Sequence, residues 1–475
     1  MRKHIFLFIT VVLLAGTFSI GNGILGEPSI ALAASDYYVD NAGNAECRDD
    51  PSYGSESNPW CTITFGVNQI AAGDTVYVKA GTYNENLYIS GLVGSENEVT
   101  HILAYPGHEV ILRGNGIHTG RVKITESSYL TFEGFKVTNY NQGIFVEGGS
   151  DHITIRNCTV FAVGQDAIHV RQNSSYILLE GNTIYDTDLY IHNGEGFYIG
   201  TGSAGPKDNT HHVTVRNNLI HDVGDEGIEL KPGTHDCLIE GNIVYNAVVG
   251  RTWGAIEVGE SILGEQEWAS NPNHVVRNNI VHDVMTGIRA GTGSLVYNNV
   301  IYDVEGYGIY INNQANDTYL RAIYHNTVDT SSSYAIYTVS GSTDIRNNIG
   351  PSTAQNLPTN SSFFVNTSEG AEDYHLVSSA APIDLGLDLT DVVGTDLEGR
   401  ERPYGLAPDL GAYEFAPGSQ LVGDVNRDGQ VDQQDVQACV NHVLGIGDWG
   451  VSADVNGDGA VNVLDVQRVV NIISE

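Results

Sequence analysis

The segment GDEGIELKPG, residues 224–233, brings three carboxylates and one amine together in a single short stretch. Asp225, Glu226 and Glu229 supply the carboxylates, and Lys231 supplies the amine. Apolar residues alternate with these polar ones, which predicts a strand with one buried face. Side chains of these types can transfer protons, and oxygen ligands this close together can bind a hard cation. Which use applies depends on the elements that hold the side chains in place.

The segment belongs to one copy of a repeat that runs from about residue 130 to 350. Copies such as VTVRNNLIHD and CLIEGNIVYN carry an Asn at one register, and Cys158 takes that place in the first copy. The spacing, mostly about 20–27 residues, is typical of a solenoid, and the alternation with period two indicates strands. The repeated asparagines are Asn182, Asn218, Asn242, Asn279, Asn299, Asn326 and Asn348.

The repeats predict an all-β fold, a right-handed parallel β-helix whose stacked coils share one core. An Asn ladder inside a turn would satisfy buried backbone groups from coil to coil. This arrangement resembles the pectate-lyase-like β-helix superfamily. A leucine-rich repeat does not fit, because the L-x-x-L-x-L pattern is missing.

The third strand of each coil aligns in the sequence, from QGIFV, DAIHV and EGFYI through EGIEL, GAIEV and TGIRA to YGIYI and YAIYT. The central residue is apolar and is predicted to face the core. The residue before it is always Gly or Ala, and we expect this column to form a flat floor on the outer face. The residue after it forms what we call the outward column: Phe145, His169, Tyr198, Glu229, Glu257, Arg289, Tyr310 and Tyr337.

Carboxylates gather in the middle of the outward column and at its corner. Glu229 and Glu257 fall on neighbouring coils, with Glu195, Asp225 and Glu226 beside them, and like charges placed opposite each other repel. A bound cation would offset this repulsion. The alternative is a solvated acidic face on an acidic protein.

Two coils are longer than the others, and their additions follow the third strand on either side of the DEGIELK coil. Loops inserted at one face of a repeat protein usually mark its working face. Trp253 and Trp268 lie close to this face and could stack on a sugar ring. Tyr198 and His169 of the outward column are further candidate substrate-binding residues.

Charge and cysteine content are typical of an exported protein. The chain has 58 Asp and Glu against 22 Lys and Arg, a formal net charge of -36, which argues against a nucleic-acid partner and suits calcium binding. A basic start, a short apolar run and an A-x-A site predict a signal peptide over residues 1–33, with no membrane span elsewhere. Cys47 and Cys61 are expected to form a disulfide, and the lack of a C-x-x-C motif argues against zinc.

Both ends of the predicted β-helix differ from the repeat. Residues 36–83 are expected to begin it, with a capping helix near 64–72 and a first coil in GDTVYVKAGTY. This opening, together with AYPGHEVILRG at 104–114, is similar to the family 9 pectate lyases. Residues 374–415 resemble a terminal segment common in exported β-helix proteins and are expected to close the helix.

The β-helix domain is predicted to span 34–415 and to be monomeric, and a linker follows at 416–420. Residues 421–475 contain two EF-hand-like calcium loops, DVNRDGQVDQQD and DVNGDGAVNVLD, each followed by an apolar-periodic helix. In each loop, alternating oxygen ligands would wrap one hard cation. The predicted ligands are Asp424, Asn426, Asp428, Gln430, Asp432 and Asp435, and Asp454, Asn456, Asp458, Ala460, Asn462 and Asp465, with Gln430 and Ala460 contributing carbonyls.

The doubled loop, with Asp at its last position, resembles a type I dockerin over residues 423–473. The resemblance implies a small α-helical module, Ca²⁺ as cofactor and a cohesin-type partner module. Together with the predicted signal peptide, it indicates a secreted, extracellular protein that could be attached to a scaffold or to a cell surface through the dockerin.

The segment at 224–233 resembles the calcium site of the family 9 pectate lyases, where an Asp-Asp-Gly-x-Asp run and an acid one coil earlier hold calcium. Asp225, Glu226 and Glu229 match the run, and Glu195 matches the earlier acid. The resemblance implies a calcium-dependent polysaccharide lyase. It would remove a proton next to a uronate carboxylate and cleave a pectate-like chain by β-elimination.

The expected base departs from the family pattern. Glu257 stands where the resemblance places the family's lysine, and it is itself a candidate catalytic residue. We expect Lys231 to serve as the base, with partial burial and a nearby divalent cation lowering its pKa. Arg289 and Arg251 are further options.

Two other function classes stay open. NGEGFYIG followed by GDEGIELKPG is similar to paired strands of the family 28 polygalacturonases, which implies a glycoside hydrolase with Glu195, Asp225 and Glu226 as acid and base. That family's Gly-His-Gly is absent, and only Arg289 remains of its Arg-Ile-Lys. The third class is a non-catalytic carbohydrate-binding β-helix carried on a dockerin. Product chemistry separates the three, whereas the polysaccharide and endo or exo action stay open.

Overall fold

A computed structural model describes most of the chain from residue 34 onward. The predicted signal peptide, 1–33, lies outside the described residues. No helix in the part of the chain that is described is long and apolar enough to cross a membrane. The described residues are 34–42, 46–190, 194–202, 208–247, 253–259, 273–291, 293–311, 320–330, 334–338, 343–350, 355–416, 423, 425, 431, 433–443, 453–455 and 461–474.

Parallel strands stack in three rows, which confirms the predicted parallel β-helix. The first row forms one sheet, and the second and third rows join in another. In Asp151–Arg156 the buried Ile153 and Ile155 alternate with polar residues, as the period-two pattern predicts. The first-row strands are Asp36–Val39, Thr75–Val78, Thr100–Ala104, Ser128–Glu133, Asp151–Arg156, Ser175–Glu180, His211–Arg216, Leu238–Glu240, Val275–Arg277, Leu295–Tyr297, Arg321–Tyr324 and Thr343–Arg346.

The second and third rows meet at a bend, and two strands, Ile280–Ala290 and Val300–Ile311, run through both rows. The other second-row strands are Gly81–Tyr83, Val110–Arg113, Phe135–Thr138, Thr159–Phe161, Thr183–Tyr185, Leu219–Val223, Ile243–Ala247, Thr327–Val328, Ile349–Gly350 and Leu357–Pro358. The other third-row strands are Tyr88–Ser90, Val122–Thr125, Ile144–Glu147, Ile168–Val170, Phe197–Ile199, Ile228–Leu230, Ile256–Val258 and Ile336–Thr338.

The repeated asparagines form a buried ladder in the turn between the first and second rows. The backbone N–H and the side-chain amide of each Asn donate to the Oδ1 of the next, at 2.8–3.1 Å. The ladder ends one step beyond the predicted copies, at Asn356. The residue before each of the seven predicted ladder asparagines is left-handed, as at Asn217 with φ 55° and Gly241 with φ 66°. Asn and Gly tolerate this conformation, which explains the recurring N-N and G-N pairs.

The Gly and Ala column of the third row does not form an outer floor, and that expectation is wrong. Ala167 and Ala255 are fully buried in the main core. A Cβ at Gly227 would lie 2.5 Å from Cγ1 of Val244, a second-row core residue. The chain bends between the second and third rows at this position, so strand alternation does not apply. Only a small residue fits where the two rows approach so closely.

The N-terminal end of the stack is capped by a short helix, Ile63–Val67, which is shorter than the helix predicted near 64–72. Its N-cap is Thr62, whose Oγ1 accepts a hydrogen bond from the Phe65 amide at 3.2 Å. Cys47 and Cys61, which lie just before this helix, form a disulfide with their Cα atoms 5.0 Å apart.

The first row begins earlier than expected. Asp36–Val39 pairs in parallel with Thr75–Val78, so one more strand precedes the coil predicted in GDTVYVKAGTY. The sequence between these strands contains the capping helix and the disulfide loop, which separate the two pairing partners along the chain and hide their relation in the repeat pattern.

The segment after the last coils includes an antiparallel strand pair, Phe364–Asn366 with Asp373–Leu376, joined to the 3₁₀ helix Ser361–Phe363. Arg402 forms a fully buried ion pair with Glu414. The same guanidinium donates to Oδ1 of Asn298 in the coils at 3.1 Å. The segment therefore packs against the last coils through buried polar contacts as well as apolar ones.

The C-terminal region is helical, as predicted for a dockerin module. Helix Gln433–Val443 and helix Val463–Ser474 pack against each other. They share a small buried core of Val425, Ala438, Cys439, Ala453, Val455 and Val469.

Candidate functional site

The strand register stacks the predicted outward column in order. Tyr198 pairs with Glu229, Glu229 with Glu257, and Glu257 with Arg289 on successive third-row strands. Because parallel in-register strands lie about 4.8 Å apart, each side chain is in direct reach of its neighbours. The column continues to His169 on one side and to aromatic residues on the other.

Five carboxyl groups are buried together in the middle of this face. Glu195, Asp225, Glu226, Glu229 and Glu257 are each at most 6% exposed. One oxygen from each of Glu195, Asp225 and Glu226 lies within 4.8 Å of the others, close enough for one cation to be shared. These groups are buried, so they do not form the solvated acidic face that the sequence left as an alternative. A buried charge needs a compensating partner.

A sixth buried carboxyl group, Asp166, extends the cluster and was not predicted. It is 3% exposed and is hydrogen-bonded to Glu195. The signal was present in the aligned segments DAIHV, EGFYI and EGIEL, where Asp166, Glu195 and Glu226 occupy one register. The backbone amide that follows Asp166 donates to the Glu195 carbonyl, and the amide after Glu195 donates to Glu226. The three acids therefore form a ladder at the bend.

Protons compensate part of this negative charge. Burial and the neighbouring Asp166 carboxylate raise the pKa of Glu195 to about 11. Burial and the carboxylates of Glu229 and Asp225 raise the pKa of Glu226 to about 9. Both groups are thus protonated at neutral pH when no cation is bound. A divalent cation would replace these protons, so the donor set fits calcium.

Lys231 follows the Ile228–Leu230 strand and forms an ion pair with Glu229. Its Nζ also lies over the ring of Tyr198, 4.7 Å from the centroid. Burial alone would lower the pKa of Lys231, but the Glu229 carboxylate outweighs burial and raises it. In this state the amine is protonated, which differs from the expectation of a lowered pKa. The physical reason is the carboxylate that pairs with it.

Glu257 and Arg289 form a second buried ion pair, with an N–O distance of 3.0 Å. Glu257 also accepts a hydrogen bond from the Gly254 amide at 3.0 Å. The Arg289 guanidinium lies 4.7 Å from the ring centroid of Trp253 and 5.6 Å from that of Tyr310. Arg289 therefore covers one face of Trp253, a residue that was predicted to stack on a sugar ring.

The predicted sugar-binding residues Tyr198 and His169 lie next to the acids. Their rings are 4.3 Å apart between centroids, and the His169 ring nitrogens contact Asp166 at 3.1 Å and the Gly200 carbonyl at 2.9 Å. Burial alone would raise the pKa of Asp166, but hydrogen bonds from His169 and Glu195 hold it below its usual value. His169 is thus fixed by polar contacts, and its ring separates Tyr198 from Phe145.

Several predicted residues lie outside the part of the chain that is described. Trp268 and Arg251 are among them, as are residues 203–207 of the first added loop and 260–272 of the second. In the C-terminal module, helix-terminal Asp435 and Asp465 are fully buried, and Asp465 accepts a hydrogen bond from the Asn462 amide at 2.8 Å. Asp454 is also described, whereas the other predicted ligands lie outside: Asp424, Asn426, Asp428, Gln430, Asp432, Asn456, Asp458 and Ala460.

Three sequence families match the chain. Residues 37–280, just over half of its length, match the family described as "Pel9A-like, right handed beta helix region". Residues 207–369 match "Right handed beta helix region", and residues 422–474 match "Dockerin type I domain". The first match contains the acidic cluster and Lys231, and the third contains both predicted calcium loops.

Solved structures and one curated protein are also similar. Pectate lyase Pel9A has a TM-score of 0.55 at 18% identity, covering 81% of this chain and 97% of that one. A rhamnogalacturonan lyase has a TM-score of 0.55 at 16% identity, and the match covers 71% of this chain and 92% of that one. An alginate lyase from Paenibacillus sp. strain FPU-7 has a TM-score of 0.51 at 17% identity, and the match covers 59% of this chain and 96% of that one. The uncharacterized protein YwoF of Bacillus subtilis strain 168 is 23% identical over 327 residues, 55% of this chain and 68% of YwoF. At these identities the solved structures establish the shared fold.

Proposed function

The chain belongs to the Pel9A-like right-handed β-helix family, and from this premise we propose that it is a secreted, calcium-dependent polysaccharide lyase. It would cleave a uronate-containing polysaccharide by β-elimination. The observation that carries the proposal is the buried set Glu195, Asp225 and Glu226, with Glu229 and Lys231 beside it on the same face.

Glu195, Asp225, Glu226 and Glu229 would hold the calcium ion. Their burial and mutual repulsion, seen in the raised pKa values of Glu195 and Glu226, support a cation at this position. A bound calcium ion would neutralise these carboxylates, bind the uronate carboxylate and acidify the neighbouring C–H bond.

Lys231 is the proposed base. Its amine would take the proton from the carbon next to the uronate carboxylate, and the electron pair would form a double bond as the glycosidic C–O bond breaks, while the leaving oxygen takes up a proton from water. The amine can accept a proton only when Glu229 no longer pairs with it, because that carboxylate holds its pKa high. Arg289 is the second candidate, although a guanidinium gives up its proton with great difficulty. Because Arg289 pairs with Glu257, both residues are better suited to positioning the substrate than to proton transfer.

A hydrolase is the second candidate, and the raised pKa values of Glu195 and Glu226 favour it, since a general acid must be protonated at neutral pH. The spacing opposes an inverting hydrolase. The carboxyl oxygens of Glu195, Asp225 and Glu226 come within 4.8 Å of one another, whereas an inverting pair needs about 6.5–9.5 Å to admit a water. We therefore place elimination ahead of inverting hydrolysis, and the product test below separates elimination from a retaining hydrolase, whose carboxyl groups lie about 5–5.5 Å apart.

Product chemistry tests the proposal. The full-length protein would be incubated with pectate, alginate and other uronate polysaccharides, each with calcium and with chelator. We expect unsaturated, ultraviolet-absorbing chain ends in calcium with at least one of them. New reducing ends without ultraviolet absorbance would identify a hydrolase, and binding without either product would identify a carbohydrate-binding β-helix.

The C-terminal module would attach this domain to a partner. We propose that residues 421–475 bind calcium in both loops and dock to a cohesin-type module on a scaffold or cell surface, with 34–415 as the monomeric β-helix and 416–420 as the linker. The dockerin match and the buried Asp435 and Asp465 at the helix starts support this assignment. Pull-down of the full-length protein on cohesin modules, with calcium and with chelator, tests it.

A further inference from the structure

Phe145 is fully buried although it belongs to the outward column. Two guanidinium groups cover its ring: Arg121 lies 4.3 Å from the centroid and Arg171 lies 5.1 Å from it. Arg121 comes just before the third-row strand of the preceding coil, and Arg171 comes just after that of the following coil. The two cations therefore approach one ring from neighbouring coils.

The charge around Phe145 is not balanced. Lys123 and Arg171 both pair with one buried carboxylate, Glu147. The side chain of Arg121 makes no ion pair or hydrogen bond with any described residue, and burial together with repulsion from Arg171 lowers its pKa. Three cations thus lie near two carboxylates, Glu147 and the Asp166 that His169 contacts, in a chain with only 22 Lys and Arg against 58 Asp and Glu. A half-buried guanidinium with its donors unused is suited to bind an anion.

The cationic group lies in line with the acidic cluster. Phe145, His169, Tyr198 and Glu229 follow one another on successive third-row strands. Three strand steps separate Phe145 from Glu229, roughly 14 Å at the usual spacing, which a few sugar units can span. The rings of the buried His169 and the partly exposed Tyr198 lie between the two charged positions.

We propose that Arg121 and Arg171 form an anion subsite that binds a carboxylate of an acidic polysaccharide lying along the outward column, three coils from Glu229. Arg121 supplies the free hydrogen-bond donors, and Arg171, held by Glu147, adds positive charge. The substrate class rests on the proposed function. The subsite itself requires only binding, so it can be tested without turnover.

The test measures affinity by calorimetry with the full-length protein in chelator, where calcium-dependent turnover is excluded. The probes are hexamers of galacturonate and of mannuronate, each with a carboxyl-reduced neutral counterpart. We expect R121A to weaken binding of an acidic hexamer roughly ten- to hundredfold, the loss typical of a hydrogen-bonded charge pair, with little effect on the neutral one. R121K should retain part of the affinity, because it keeps the charge but loses the planar fork.

The matched control is R156A, which removes an Arg paired with Glu133 on the first-row face, where its side chain is 44% exposed. It should bind both acidic hexamers like the parent, and unchanged melting temperatures would show that each variant is folded. Equal losses for acidic and neutral hexamers would assign Arg121 to covering Phe145 and overturn the subsite. So would an unchanged affinity in R121A, or failure of the parent to bind either acidic hexamer. Acid-selective binding without any unsaturated product would keep the subsite and reject the lyase.

Discussion

At the level of single residues, the central feature is a set of carboxyl groups buried where their charges repel. Two of them are matched by cations, Glu229 by Lys231 and Glu257 by Arg289. Glu195 and Glu226 are matched by protons instead, as their raised pKa values indicate. This division separates the carboxylates that pair with a side-chain cation in the absence of metal from the carboxyl groups that can exchange protons for a metal ion.

Removing the Lys231 amine should abolish most turnover. We expect Lys231→Ala to lower the rate by a factor of roughly 10²–10⁴, the usual contribution of a general base. The variant should bind substrate and calcium with nearly the parent's affinities. Its melting temperature in saturating calcium should also change little. Steady-state kinetics in calcium measure this, with Lys136→Ala as control because its amine pairs with Glu109 at an exposed position. Near-normal turnover with tighter calcium binding would leave Lys231 as a charge-balancing residue and direct attention to Arg289.

Calcium binding should release protons. Glu195 and Glu226 are protonated at neutral pH because their pKa values lie near 11 and 9, so a cation must displace those protons and its affinity should rise with pH. Calorimetry at pH 7 in buffers of different ionisation enthalpy would count them. The control Asp435→Asn with Asp465→Asn impairs both dockerin loops and should keep the release. Calcium binding with no proton release in that variant would argue against the cluster as the site.

The sequence predicted which acids gather but not how their charge is compensated. Asp225, Glu226 and Glu229 were visible because they stand in one segment, and Glu195 because the coils align. Asp166 aligns in the same way but was missed because it lies two coils before the 224–233 segment, one coil beyond the earlier acid that the resemblance implies. The state of Lys231 depends on the distance from its amine to Glu229, which spacing along the chain does not determine.

At the level of elements, the Asn ladder fixes the register between successive coils, and this register aligns the side chains of the site. Asn242 is fully buried, its amide donates to Asn279 and to the Val215 carbonyl, and its Oδ1 accepts from Asn218. Because every coil uses the same turn, the outward column stays aligned from Phe145 to Tyr337.

Breaking the ladder should destabilise the β-helix. Asn242→Ala would leave buried groups of Asn218, Asn279 and Val215 without their partner, at about 1–3 kcal/mol for each buried group left unsatisfied. We expect the free energy of unfolding to fall by about 2–5 kcal/mol in chemical denaturation. The control Asn209→Ala removes an exposed amide and should change it by less than about 0.5 kcal/mol. Equal free energies of unfolding for the two variants would contradict a stabilising role of the Asn ladder.

Periodicity predicted the rows, the register and the ladder, because each repeats with every coil. The Gly and Ala column was misplaced because alternation holds within a straight strand and fails at the bend between the second and third rows. The strand Asp36–Val39 was missed because its partner, Thr75–Val78, follows only after the capping helix. A feature that lies outside the repeat, such as this first strand, cannot be predicted from the periodicity.

At the level of the whole molecule, two parts with different stabilising forces share one chain. The β-helix has a long continuous core, whereas the C-terminal module has a small core around Cys439 and Val469. The chain's net charge of -36 makes a cation or a local basic group necessary wherever an acidic polysaccharide binds. The acidic cluster and Arg121 would meet that need at two positions on one face.

The C-terminal module should fold only with calcium. Its core is too small to offset the chain entropy, and metal binding would supply the missing free energy. We expect a 420–475 fragment to show helical circular dichroism in calcium and to lose it in chelator. A spectrum that is the same in both would contradict this and would leave the helices stabilised by their apolar contacts alone.

The most direct test of the central claim is the rate at which unsaturated chain ends form from a uronate polysaccharide, measured against free calcium. Three full-length proteins would be compared: the parent, Glu226→Gln, and the dockerin control Asp435→Asn with Asp465→Asn. We expect the parent and the dockerin control to share one calcium requirement, and Glu226→Gln to need far more calcium or to lose activity. Unsaturated ends that form equally well in chelator, or an unchanged calcium curve in Glu226→Gln, would contradict a calcium-dependent lyase site at this cluster.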